Sequence, residues 1–120
     1  MKIYLYALVA SAATLALDIM GVHGAFRGVP LYDVFMHLLA GAAISLTILA
    51  VLWSLRVDTA HIARNILIGV FLAGIAWELF EITYNIAGYQ LWTLPYYVDT
   101  LKDLLDDILG GVIVIALMLQ

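Results

Sequence analysis

The residues able to do chemistry in this chain fall into four short groups. Asp33 and His37 stand four apart, Glu78 and Glu81 flank a turn within the run AWELFE, Asp99, Asp103, Asp106 and Asp107 follow in the last segment, and Asp18 precedes them all. On a helix, spacings of three and four bring side chains onto one face. Asp33, His37 and Gly41 then share a stripe, as do Gly74, Glu78, Glu81 and Asn85, and Asp99, Asp103, Asp106 and Gly110; Ser11, Thr14 and Asp18 repeat the pattern. Many carboxylate oxygens with one imidazole suit a hard or borderline divalent cation, Mg²⁺, Mn²⁺, Ca²⁺ or Zn²⁺, better than a soft metal. The chain has no cysteine, so neither a thiolate site nor a disulfide framework is possible.

The elements that must position these groups belong to a membrane. Of 120 residues 66% are hydrophobic and 12% charged, with a mean hydropathy of +1.08, which is a membrane-protein composition. The net charge of −4 argues against a nucleic-acid partner, which calls for a basic face. Four apolar segments, about 3 to 20, 31 to 53, 62 to 84 and 100 to 119, are each long enough to cross a hydrocarbon core of roughly 30 Å. Only a helix or a closed barrel satisfies its own backbone in lipid, so each is read as a helix. The fold class is therefore all-α, a polytopic four-transmembrane-helix bundle, with residues 1–120 as a single domain. Gly21, Gly24, Gly28 and Pro30, then Ser54 to Asp58, then Asn85, Gly88 and Pro95 punctuate the segments. Pro30 suits a helix start, and Thr100-x-x-Asp103 reads as a capping-box variant opening the fourth helix. Lys2, an apolar run and Ala10-Ser11-Ala12 have the outline of a cleavable signal, but apolar character continues to Met20, so the segment is expected to be retained.

Lys2, Arg56 and Arg64 fall on one side and Arg27 and Lys102 on the other, so the positive-inside rule places both termini in the cytoplasm and the protein in the inner membrane. Trp53, Tyr4 and Tyr6 mark the inner interface, and Tyr32, Tyr84, Tyr89, Trp92, Tyr96 and Tyr97 the outer one. Threading the helices up and down then puts every acid except Asp58 at the outer face. Counted at the helical rise, Asp18 and Glu81 lie roughly 5 Å in from the helix ends, and His37, Glu78 and Asp106 roughly 10 Å in. Ala40-Gly41-Ala42-Ala43, Ala73-Gly74 and Gly110-Gly111 would let the helices approach closely.

Each group also has an ordinary structural role open to it. Asp33, Asp99 and Asp103 sit at expected helix starts, where a carboxylate caps free amides and complements the dipole. Glu78, Glu81 and Asp18 lie near helix ends, the wrong pole for an acid. Arg27 and Lys102 are too few to pair with so many carboxylates. Either some acids keep their protons or a cation joins them. His37, with Asp33 beside it, is a candidate ligand or general base; His23 and His61 are loop residues expected to be inert, and Trp77 is expected to pack at the site wall or the interface.

The order Tyr32-Asp33-x-x-x-His37-x-x-x-Gly41, Trp77-Glu78-x-x-Glu81 and Asp99-Thr100-x-x-Asp103-x-x-x-Asp107-x-x-Gly110-Gly111 resembles the VanZ-like and YjdF-like inner-membrane proteins over roughly residues 31 to 115. The resemblance implies a small helical membrane domain whose polar residues form one site, in a group associated with lipid head groups or lipid-linked envelope intermediates. Asp33, His37, Glu78, Glu81, Asp99, Asp103 and Asp107 carry it, while Asp18 and Asp106 rest on spacing alone. The arginine-containing motif of typical VanZ-like proteins is missing, which argues against a specific antibiotic role, and the chain is shorter than many YjdF-like proteins.

The expectation that follows is a metal-assisted enzyme acting on a phospholipid or lipid-linked head group. Its metal ligands would be His37, Glu78, Glu81, Asp103 and Asp107; Asp33 would orient His37, and Arg27 or Lys102 would meet phosphate. An ion- or proton-binding transport module and a non-catalytic structural subunit are the alternatives.

Overall fold

The structure is a computed structural model that describes residues 2–25, 28–29, 31–57, 61–86 and 88–118. Four helices carry the chain: α1 (Lys2–Met20), α2 (Tyr32–Ser54), α3 (Ile62–Tyr84) and α4 (Leu94–Met118). After α1 a wide turn, Gly21–Ala25, breaks the helical path at Gly24, whose φ of 128° is open to glycine and few others. α3 stops at Asn85, left-handed at φ 51°, whose amide bonds back into the last turn; asparagine tolerates that conformation better than most residues.

The fourth helix begins at Leu94, well before the expected residue 100. Pro95 sits in its first turn, where a missing amide proton costs nothing. Thr100, Asp103 and Asp99 are consequently inside the helix, and the expected capping box does not exist. Asp33 does lie in the first turn of α2, but the residue at the helix entrance is Leu31 at φ 60°, with no side-chain cap. Pro30, expected as a helix start, lies outside the described residues.

The bundle is 44 Å long and 25 by 22 Å across, close to the roughly 40 to 45 Å of a bilayer with its head groups. Lys2–Ala25, Tyr32–Ser54 and Ile62–Tyr84 are long and apolar enough to span by composition alone. α4 has the length, but carries five charged residues from Asp99 to Asp107, which lower its hydropathy. Large apolar side chains such as Leu8, Leu15, Leu72, Leu79, Leu101 and Leu105 are exposed on the outside of the bundle, as in a protein solvated by lipid tails.

α2 is the central helix, packed most extensively on α4 and also on α1 and α3. It runs antiparallel to α1: Tyr4 Oη meets Ser54 Oγ at 2.8 Å at one end, and Tyr32 Oη donates to the Leu17 carbonyl at 2.6 Å at the other. Near that first end Ile3 and Ala7, Leu49 and Ala50, and Ile62, Ile66 and Val70 form a closed apolar core. Toward the other end, α2 and α4 meet on glycine. A Cβ on Gly41 would overlap the backbone of Asp107, and one on Gly110 the backbone of Leu38, so only these two hydrogens allow the helices to sit this close. This reciprocal contact sets where the acids of α4 lie against α2.

Candidate intramembrane acid and histidine site

The glycine contact presses the polar stripe of α2 onto that of α4, and α3 closes the third side. Five ionisable residues become buried together: His37 of α2, Glu78 and Glu81 of α3, and Asp103 and Asp107 of α4, with Asp103 only 1% exposed. A buried charge in so poor a solvent demands partners, and for His37, Asp103 and Asp107 these can be traced. His37 Nδ1 donates to Asp107 Oδ1 at 3.2 Å. Its Nε2 lies 3.6 Å from Asp33 and 3.7 Å from Asp103. Asp107, rather than the expected Asp33, is therefore the hydrogen-bonded group that orients the imidazole, with Asp33 as a longer-range neighbour.

Lys102 was expected to meet phosphate, but it is engaged internally. Its Nζ donates to Asp33 Oδ2 at 2.6 Å and to Asp103 Oδ1, and lies 4.0 Å from Asp106. It serves here as a built-in counter-cation between α2 and α4. The other cation expected at this site, Arg27, lies outside the described residues.

The two glutamates of α3 are held differently. Glu81 Oε1 accepts from Trp77 Nε1 at 2.9 Å, and Glu78 Oε2 accepts from Thr100 Oγ1 at 2.6 Å. Glu78 Oε1 is buried without a hydrogen-bond partner among the described residues. No described lysine, arginine or histidine lies within ion-pair distance of either glutamate.

The expected single ligand set of His37, Glu78, Glu81, Asp103 and Asp107 thus separates into two triads. Asp33, His37 and Asp103 form one, and Glu78, Glu81 and Asp103 the other; in each, one donor atom per residue lies within 4.8 Å of the rest. Asp103 is common to both. Asp107 belongs to neither and instead supports His37. The first triad already holds the Lys102 ammonium, whereas the second has three buried carboxylates and one orphaned oxygen, and reaches Lys102 only through the shared Asp103. An all-oxygen set of this kind fits Mg²⁺, Mn²⁺ or Ca²⁺, and the orphaned Glu78 oxygen is the place where such an ion would satisfy an otherwise costly buried acceptor.

Two cavities reach the cluster. The smaller, about 230 Å³, is lined by Glu78, Glu81, Asn85, Tyr96, Asp99 and Thr100 and lies toward the loop after α3. The larger, about 640 Å³, runs between α1 and α3 over α2 and reaches Asp18, His37 and Asp107. Asp18 and Asp99 therefore belong to cavity walls, while Asp106 lies beside Lys102 at the margin of the cluster. His23, expected to be inert, lies apart in the turn after α1, its Nδ1 2.7 Å from the Ile19 carbonyl.

Two participants escaped the sequence reading. Thr100 reads as a cap but binds Glu78, and the signal was present in its spacing of three and seven from Asp103 and Asp107. Trp77, given only a packing role, donates to Glu81; a tryptophan four residues before a buried acid on one helix offers that bond at little entropic cost.

Neither a search of curated proteins nor one of solved structures yields a match. A family model described as "Predicted membrane protein (DUF2238)" matches residues 1–120. With its apolar helices and its membrane-length bundle, the chain belongs to the DUF2238 family of predicted membrane proteins.

Proposed function

We propose that this protein is a membrane enzyme that acts, with a divalent cation, on the phosphate-bearing head group of a phospholipid or lipid-linked envelope intermediate. The observation that carries the reading is the Glu78–Glu81–Asp103 triad, with a buried, unpartnered Glu78 oxygen and a histidine beside the shared aspartate. Carboxylates alone repel a phosphate. A divalent ion held by Glu78, Glu81 and Asp103 would reverse the local sign and stabilise charge developing on phosphoryl oxygens. His37, held by Asp107 through Nδ1, keeps Nε2 for proton transfer on the side of Asp33 and Asp103. Lys102 would meet phosphate only if released from Asp33 and Asp103.

The resemblance to VanZ-like and YjdF-like proteins supports a lipid-linked substrate, and the distribution of Lys and Arg supports a site in the outer leaflet of the inner membrane with both termini cytoplasmic. A transport role has less support, because the apolar core of Leu49, Ile62, Ile66 and Val70 closes the bundle at the end away from the acids.

The test is turnover. Purified protein in lipid nanodiscs is offered labelled phospholipids and polyprenyl phosphates with Mg²⁺, Mn²⁺ or a chelator. Head-group release or transfer that needs the metal and is lost in Glu78→Gln and His37→Ala is the expected result. Turnover that survives both the chelator and Glu78→Gln contradicts the reading.

A further inference from the structure

The larger cavity is a groove with a distinctive distribution of polarity. α1 packs on α2, and the space left between α1 and α3 is the cavity of about 640 Å³, inside the roughly 300 to 1,000 Å³ range of small-molecule sites. Its walls are apolar even where the sequence is not. Thr14 and Thr47 donate their hydroxyls to the Ala10 and Ala43 carbonyls, each at 2.9 Å, and Ser11 lies 3.4 Å from Thr47. Along α2 the groove extends from Met36 to Ile48, roughly 18 Å at the helical rise. One leaflet of a hydrocarbon core is about 15 Å deep, so the groove matches a lipid tail that enters from the acid-bearing face.

The ionisable groups of the groove are confined to that face: Asp18, His37 and Asp107 line it, and no lysine or arginine does among the described residues. Asp107 is bonded to His37, but Asp18 has no hydrogen bond or ion pair among the described residues. Trp77 and Phe80, their ring centroids 5.2 Å apart, form part of the α3 wall. A carboxylate with no lysine or arginine partner among the described residues, in a cavity that aromatic rings also line, suits an ammonium group. An anionic amphiphile such as a free fatty acid would meet two carboxylates there, Asp18 and Asp107, and one imidazole that Asp107 already holds.

We infer that this groove seats one acyl chain of a lipid from the acid-side leaflet whose head group carries an ammonium, with Asp18 as its counter-ion. Lipid binding here deepens the lipid-substrate reading above and supplies its substrate class, but the binding step itself needs no metal. The tail lies along Ala40, Ile44 and Ile48, and the head group is brought to the mouth of the cluster at His37 and Asp107.

The test uses tryptophan fluorescence in a Trp53→Phe/Trp92→Phe background, which leaves Trp77 as the reporter, with a chelator present throughout. Vesicles contain phosphatidylethanolamine or phosphatidylglycerol brominated along the chain. Brominated phosphatidylethanolamine is expected to quench Trp77 with a roughly two- to fivefold preference, the size of one partly exposed charge and cation–π contact. Asp18→Asn removes the preference while quenching persists, and Ala73→Phe, which fills the groove, reduces quenching by both lipids. Equal quenching by both lipids, unchanged in Asp18→Asn, overturns the proposal in favour of ordinary annular lipid. Cross-linking of two copies through Ser11→Cys with Trp77 shielded from both lipids overturns it in favour of a second copy in the groove. Failed turnover with the lipid preference intact sinks the enzyme reading alone; lost preference with metal-dependent turnover intact sinks the groove alone.

Discussion

The two ends of this bundle solve the problem of helix association in opposite ways. At one end Leu49, Ile62, Ile66 and Val70 are fully buried in an apolar core, with the Tyr4–Ser54 hydrogen bond at its edge. At the other, His37, Glu78, Glu81, Asp103 and Asp107 are buried, and contacts between helices run through hydrogen bonds and ion pairs. In lipid, tails solvate an apolar helix about as well as another helix does, so the apolar end gains chiefly from close packing. The polar end is costly to assemble, because each buried charge must be paired or hydrogen-bonded. Apolar packing and buried ionisable groups are thereby divided along the long axis of the bundle.

The glycines offer the sharpest way to break this division. Gly110→Ala and Gly41→Leu place a Cβ against the backbone of the facing helix, which cannot yield, so α2 and α4 must separate. Loss of monodisperse protein on size exclusion and loss of metal binding are expected together. Gly69→Ala, at the apolar end, meets only the mobile tip of Ile48, and near-parental behaviour is expected in both assays.

Next in size are substitutions that separate binding from stability. Glu78→Gln removes a proposed ligand and should lower divalent-cation affinity by more than the roughly 10- to 100-fold that loss of an outer-sphere partner costs, with thermal unfolding little changed in the absence of metal. Leu49→Ala at the other end should do the reverse: a loss of about 2 kcal/mol in denaturant titration, with metal affinity intact. If Leu49→Ala abolished binding as strongly as Glu78→Gln, the two ends would not be separable.

Smaller effects probe the two triads. Lys102→Met removes the internal cation from Asp33 and Asp103, and a second divalent-cation site is expected to appear in calorimetric titration. Trp77→Phe removes one hydrogen bond from Glu81, worth about 1 kcal/mol, and should weaken binding at the second triad by several-fold.

How much of this was legible in the sequence follows from what periodicity can carry. Helical spacing placed His37 with Asp33, and Glu78 with Glu81, because residues three and four apart on one helix must share a face. It also brought the acids of separate segments to one end, since short connections force neighbouring spans to alternate. It could not give the rotation of one helix against another. That rotation is set by Gly41 and Gly110 meeting across α2 and α4, and it decides that Asp107 rather than Asp33 bonds His37 and that Lys102 turns inward. The start of α4 was missed because Pro95 reads as a breaker when it is in fact in the first helical turn, and Thr100 was misread as a cap for the same reason. Asp18 was placed by spacing at the acid layer, but only the gap between α1 and α3 shows that it faces a groove.

Manganese titration followed by electron paramagnetic resonance, on the parent protein and Glu78→Gln in nanodiscs, tests the central claim that the buried acids of α3 and α4 form a cation centre. One bound ion per chain in the parent, with the bound signal lost in Glu78→Gln, is the result the structure predicts. Manganese that binds the parent and the variant alike, or neither, would contradict it.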